Sequence, residues 1–277
     1  MTVEFLTLEM SSLYALMFVV LIGLPHGAFD GAIATHLSAK KSGFTSIKFF
    51  AYYCFTTFLV VALWVALPGV MLGLFLIISM IHFGWGDTIN RSGITFFVQV
   101  IVHGGMPIFG IVYFHNAEVA PIFNILTFGA PYIALQLSEL AAPIIMALVV
   151  VYAGLALQNR LLRWRFAELL AITALIALLP PLVGFAFYFC FIHTSRHMRK
   201  IWLVLSSATS SKALIKQATV YTIGSWCFGA VAFFSIGNGN IHAELVQIIF
   251  IGLAALTVPH MILVDGFFRA KEKGHKS

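Results

Sequence analysis

Long apolar runs recur along the whole chain, separated by short clusters of basic, acidic and turn-forming residues. Nine runs stand out, at roughly 10–30, 47–67, 69–88, 94–115, 137–157, 166–180, 182–200, 214–236 and 242–267. A helix needs about 20 predominantly apolar residues to cross a bilayer, so each run is a candidate span. The sixth and seventh form one stretch interrupted by Pro180-Pro181. Two adjacent prolines remove two backbone donors and break a helix, which leaves a tight hairpin or one kinked span. The stretch 119–134 is apolar but holds Pro121, Gly129 and Pro131, and reads as an interfacial or re-entrant piece.

Composition points the same way. The chain has 277 residues, of which 61% are hydrophobic and 9% charged, where a soluble domain is about a quarter charged. The fold class predicted is all-α, a polytopic transmembrane helix bundle of about eight to nine spans. Residues 1–277 read as a single transmembrane domain with a short basic tail at 268–277. The first ten residues carry Glu4 and Glu9 and no basic residue. The basic region of a secretory signal is thus missing, and the first run is expected to stay as a membrane helix. Cys54, Cys190 and Cys227 all lie in apolar runs and read as small buried hydrophobes rather than disulfides or metal ligands.

Charge sets the orientation. Cytoplasmic loops carry the excess of Lys and Arg. With nine spans, all 16 basic residues fall on one side. The other side holds Glu4, Glu9, Glu118, Glu139 and Glu244. Merging spans six and seven would throw the basic residues that follow onto the opposite face, so the hairpin is the better reading. The N-terminus is then outside and the C-terminus cytoplasmic, in the inner (plasma) membrane. The formal charge of +6 is a topology signal and does not suggest nucleic acid.

Ionisable residues inside a membrane are costly and are functional candidates by default. In this topology His26, His82, His193, His197 and His260 lie near the cytoplasmic ends of four spans, at similar depth, and His103 lies a little way into span four. His193-Thr-Ser-Arg-His197 has i, i+4 spacing, which puts both rings on one face of an α-helix. Acids follow three of these histidines: Asp30 after His26, Asp87 after His82, Asp265 after His260. A metal-bound histidine usually donates its other N–H to a carboxylate or carbonyl. The plainer reading is that these acids pair with basic residues at the interface. Glycines crowd the same places, as in Pro25-His26-Gly27, Gly84-Trp85-Gly86 and His103-Gly104-Gly105. His36, His115, His242 and His275 fall in loops or the tail and are assigned no role.

Several imidazoles with no obligatory carboxylate suit a late first-row divalent ion. A zinc peptidase would want a carboxylate base, as in His-Glu-x-x-His, and that motif is absent from the sequence. Non-haem iron(II) with open positions for dioxygen fits the apolar, Phe-rich surroundings, with a lipid as substrate. A histidine-box desaturase or hydroxylase would need about eight clustered histidines, and a bis-histidine haem protein two facing ones. A transporter would usually show an internal repeat, and none is apparent. A retinal-binding rhodopsin needs a mid-membrane lysine, whereas every lysine here lies in a loop, at a helix end or in the tail.

Pro25-His26-Gly27-Ala28-Phe29-Asp30, His82-Phe83-Gly84-x-x-Asp87, His193-x-x-x-His197 and Pro259-His260-x-x-x-x-Asp265 resemble the Brp/Blh family of bacterial and archaeal membrane proteins. These are β-carotene 15,15'-dioxygenases, which cleave the central double bond of β-carotene to two molecules of retinal for rhodopsins. The resemblance extends from the first span to the ninth. It implies His26, His82, His193 and His197 as ligands of Fe(II), with O2 as co-substrate. His103 and His260, with Asp30, Asp87 and Asp265, then fall around the ligands or on the substrate wall. Phe29, Phe83, Trp85, Tyr188 and Phe189, with Gly27 and Gly84, flank the ligands in sequence and are candidates for lining a tunnel. β-Carotene would enter from the bilayer, and the retinal product would pass to a rhodopsin.

Overall fold

The computed structural model describes residues 8–38, 46–89, 92–206, 209–236 and 239–274, with the backbone alone at His26, 35–38, 46, 236 and 264–274. Lys40, Lys41, Arg91, His275 and Lys276 lie outside the described residues, as do the side chains of His26, His36 and Asp265. Among the described residues there is no strand. Helix α1 is Met10–Phe18; it is followed in the chain by a π-helical turn at Val19–Gly23, a 3₁₀ stretch at Leu24–Phe29 and α2, Asp30–Ser38. Then come α3 (Ser46–Ala66), α4 (Pro68–Asp87) and α5 (Gly93–Gly105). A π-helical Met106–Gly110 leads into α6 (Ile111–Phe114), followed by α7 (Asn116–Leu126), α8 (Tyr132–Leu157) and α9 (Arg160–Leu178). Finally α10 (Pro181–Ala186) runs through a π-helical Phe187–Thr194 into α11 (Ser195–Leu205), before α12 (Ser211–Ile236) and α13 (Ile241–Gly274).

Among the described residues, seven helical stretches are long and apolar enough to cross a membrane: 10–34, 47–66, 68–87, 93–114, 132–157, 211–235 and 241–263. The chain is a polytopic helical membrane protein, with a span count below the expected eight to nine. The difference lies at 166–180 and 182–200. Both are helical, but α9 opens with Arg160, Arg163, Arg165 and Glu168, and the helix after Pro181 soon meets Arg196, Arg199 and Lys200. The segment expected to be interfacial or re-entrant forms α7 and the turn that follows it.

At Pro180-Pro181 the helix is broken rather than kinked. Leu179 and Pro180 are extended, with ψ of 148° and 147°, and Pro181 opens α10. The chain doubles back so closely that a Cβ on Gly184 would lie 3.4 Å from the α-carbon of Ile176. Pro180 has no N–H for the carbonyl four residues before it, which belongs to Ile176. His115 supplies the donor instead: its Nε2 lies 2.8 Å from that carbonyl oxygen. A histidine with no role assigned from the sequence thus repairs the backbone at the hairpin.

The chain forms two compact units. The first comprises α1 and Leu67–His193. In it α4 and α5 cross at glycines. A Cβ on Gly84 would collide with the Val100 backbone, and one on Gly104 with the carbonyl of Met80. Small residues let membrane helices approach to backbone contact, and here they fix the height at which His82 and His103 sit. The second unit comprises Val19–Ala66 and the chain from Thr194 onward. Its core gathers Phe29, Ile33, Phe49, Ile201, Leu205, Leu214 and Leu263. Gly31 lies under the ring of Tyr221, where a Cβ would sit 2.6 Å from Cζ. Outward faces are apolar: Phe234 is 84% exposed and Val231 64%, which suits helices solvated by lipid chains.

Candidate metal centre

Three departures from α-helical pitch occur beside the histidines singled out in the sequence. The first passes from the π-helical Val19–Gly23 directly into the 3₁₀ Leu24–Phe29, which contains His26; the second, the π-helical Met106–Gly110, follows His103; and the third, the π-helical Phe187–Thr194, contains His193. Single π turns are rare and frequent at functional sites, because each inserts a residue and rotates the side chains beyond it. Proline and glycine explain the first two, with Pro25 and Pro107 each within the opening turn of its segment. Polar groups catch backbone carbonyls on the first helix. Trp226 Nε1 donates to the carbonyl of Val20 at 2.9 Å, and Cys190 Sγ lies 3.4 Å from that of Phe18. The three cysteines are free thiols; Cys190 is buried, whereas Cys54 and Cys227, expected to be buried, are exposed on apolar helices.

In the first unit His82 and His193 come together. Their ring centroids are 4.9 Å apart, and both side chains are buried. Phe83 packs on both rings, at 4.5 Å from His193 and 5.9 Å from His82. Phe189 stacks parallel to His193 at 6.0 Å, and Phe185 stacks on Phe189. The imidazole pair is therefore walled by aromatic carbon. Tyr188 is also buried, but its hydroxyl donates to Asp87 Oδ2 at 2.9 Å. Arg165 bridges from α9, donating to the carbonyl of Asp87 at 2.8 Å and to Glu168 Oε2 at 2.7 Å. Trp85 packs against Phe96.

His103 belongs to a separate buried network in the same unit. Its Nε2 lies 3.3 Å from the hydroxyl of Tyr152, which also accepts from Gln99 Nε2 at 3.3 Å. Gln99 Oε1 accepts from the backbone N–H of Ile89. The network ties α5 to α8 and to the turn just after Asp87.

In the second unit His197 and His260 are neighbours, with ring centroids 5.0 Å apart. His260 Nδ1 lies 2.7 Å from Asp30 Oδ1, and Tyr53 donates to Asp30 Oδ2 at 3.0 Å. The sequence suggested Asp30 as a partner for His26; the described contacts give its carboxylate to His260 and Tyr53. Phe29, a tunnel candidate, is buried in the core against Trp202. Among the described residues a Cβ on Gly27 would meet only Asp30 Oδ2, at 3.9 Å.

The donor chemistry fits a late first-row ion. The Nε2 atoms of His82, His193, His197 and His260 are all sealed from solvent. Two imidazoles sharing an ion at about 2.1 Å place their ring centres about 5 Å apart, the spacing of both pairs. Among the described residues no group of three or more ligating side chains closes on one point.

Residues 17–268 match the family model described as "Beta-carotene 15,15'-dioxygenase". A protein of the same name from the uncultured marine bacterium 66A03 is 36% identical over 269 residues, covering 92% of this chain and 93% of the relative. No solved structure matches.

Proposed function

We propose, from the fact that this chain belongs to the β-carotene 15,15'-dioxygenase family, that it cleaves the central double bond of β-carotene with O2 to give two molecules of all-trans retinal. It is a carotenoid-cleaving dioxygenase of the membrane, and family membership sets aside the desaturase, hydroxylase and haem readings. Non-haem iron(II) is the proposed metal, with His26, His82, His193 and His197 as ligands. The observation that carries this is the family match, which spans all four histidines and the acids that follow them. The aromatic seal around His82 and His193 supports it.

When bound, iron(II) supplies the open coordination position at which dioxygen is activated. The protein's part is placement and exclusion. β-Carotene is a hydrocarbon and offers nothing to hydrogen-bond, so polar groups cannot orient it. Its position must come from apolar walls, and a buried polar group facing it unpaired would be a net cost. Phe83, Phe185 and Phe189 provide such a wall beside His193. They also keep water from the ring pair, which protects a reactive oxygen species from side reactions. Splitting one O2 between two aldehydes needs no external reductant.

The substrate is taken from the bilayer and the retinal passed to a rhodopsin. The orientation proposed is N-terminus outside and C-terminus cytoplasmic in the inner (plasma) membrane, on the one-sided distribution of basic residues. The test is purified full-length protein assayed for bound iron and for retinal after addition of β-carotene. Retinal formation that follows iron content, and is lost in His82→Ala and His193→Ala, is expected. Retinal formed at an undiminished rate by metal-free protein would remove iron from the proposal.

A further inference from the structure

We propose that His260 is a further metal ligand, sharing its ion with His197 and held in place by the Tyr53–Asp30 pair. The inference rests on the iron reading above and deepens it, because the resemblance leaves His260 outside the ligand set.

The geometry is specific. Asp30 is 3% exposed and His260 2%, and they meet at 2.7 Å across 230 residues of chain. A carboxylate is an acceptor, so Nδ1 of His260 carries the hydrogen. In the neutral ring that leaves the lone pair on Nε2. Tyr53 donates to the second oxygen of Asp30 at 3.0 Å, which fixes the carboxylate and hence the ring plane of His260. A carboxylate behind Nδ1, with Nε2 turned to the opposite side of the ring, is how metal-bound histidines are oriented. Here that Nε2 is sealed from solvent, and the ring it belongs to lies 5.0 Å from His197. Satisfying Asp30 alone would require only one donor at position 260. A histidine there adds a second nitrogen on the far side of the ring, beside another imidazole.

Backbone placement is consistent with this use. Pro259 lies inside α13, so the carbonyl of Ala255 loses its helical donor and the helix can bend just before His260. Asp30 is the first residue of α2, directly after the 3₁₀ stretch. Tyr53 is on α3, whose Phe49, one turn earlier, packs in the core of the same unit with its rings 5.6 Å apart from those of Tyr53. The relay therefore joins three helices that already share one core.

The experiment is metal binding by full-length protein in detergent, using Fe(II) for stoichiometry and Co(II) for its visible ligand-field spectrum. The variants are His260→Ala, Asp30→Asn and Tyr53→Phe, with His193→Ala as reference. His260→Ala should lose bound iron and change the Co(II) spectrum, and in His260→Gly added imidazole should restore both. Asp30→Asn is nearly isosteric and should weaken Co(II) binding about 10–100-fold. Tyr53→Phe should weaken it less. Folding is checked by size exclusion and by thermal melting. If His260→Ala does not fold, Asp30→Asn decides. Wild-type affinity and an unchanged Co(II) spectrum in a folded Asp30→Asn or His260→Ala would overturn the inference. The two readings fail differently. Iron lost from His193→Ala but retained by His260→Ala sinks only this inference, whereas iron retained by His193→Ala sinks the ligand set beneath it.

Discussion

Gly84 of α4 and Gly104 of α5 meet at backbone distance: a Cβ on Gly104 would sit 2.7 Å from the amide nitrogen of Gly84. Gly84 was a candidate for the wall of a substrate tunnel, but the space beside it is filled by the Val100 backbone. Bulk added there cannot narrow a passage without separating the two helices. Gly84→Leu and Gly104→Leu should therefore act on assembly. Overpacking a core with flexible side chains costs about 1–3 kcal/mol, and backbone yields less than side chains. Both variants are expected to give little monodisperse protein after extraction and to melt well below wild type. A Gly84→Leu protein with wild-type melting behaviour and selectively lost cleavage would return Gly84 to the tunnel.

Tyr188 was another wall candidate, and its hydroxyl bonds to Asp87 instead. Phenylalanine keeps the apolar surface and removes that bond, so Tyr188→Phe separates the two roles. If the phenol holds Asp87, the variant should bind iron more weakly than wild type and lose about 1–3 kcal/mol of stability, the usual cost of leaving a buried polar group without its partner. Asp87→Asn should show the same effects more strongly. Iron titration and thermal melting of both variants are the measurements. Unaltered iron affinity and stability in Tyr188→Phe would leave Tyr188 as wall alone.

The helices were legible in the sequence because apolar length alone specifies a membrane span, and the break at Pro180-Pro181 because proline removes donors. The histidines stood out because ionisable groups are rare in such runs. The missing parts are those with no local signature. The Asp30–His260 bond joins residues 230 apart, and the sequence offered Asp30 a nearer partner in His26. The π-helical turn through Phe187–Thr194 alters the α-helical register on which the His193-x-x-x-His197 spacing was read. His115 could have been found: Pro180 deprives a carbonyl of its donor, and a buried donor elsewhere must answer. Which donor, only the fold decides. The count of seven falls slightly below eight to nine at α9 and the helix after it; the charged first half and apolar second half of α9 average to neither class.

Topology offers a test independent of the site. Reporter fusions placed after Lys41, Arg165, Lys212 and Lys276 should all report the cytoplasm, since the basic residues are expected on one side. The break at Leu179-Pro180 and the packing of α10 on α9 require the chain to reverse between Arg165 and Lys212. A periplasmic signal from Lys212 or Lys276, with a cytoplasmic one from Arg165, would mean that α9 and the helix after it do not return the chain to its starting side.

Substrate access is best tested at Gly27. The backbone here is a 3₁₀ stretch between two helical segments, and among the described residues a Cβ would touch only Asp30 Oδ2, at 3.9 Å. Unlike Gly84, then, Gly27 meets no backbone among the described residues, and it lies next in sequence to a proposed ligand and close to the carboxylate that holds His260. β-Carotene needs a wide apolar path, and a leucine at this point would take up part of it without forcing helices apart. Gly27→Leu is expected to fold and melt like wild type, to keep its iron, and to lose most β-carotene cleavage. Gly27→Ala, smaller by three carbons, should fall between the two. The measurements are iron content, melting temperature and initial rate of retinal formation for the three proteins side by side. Wild-type rates in Gly27→Leu would mean that the polyene does not pass this residue. Loss of iron together with rate would mean that the open space serves the ligand ring or Asp30, and not the substrate.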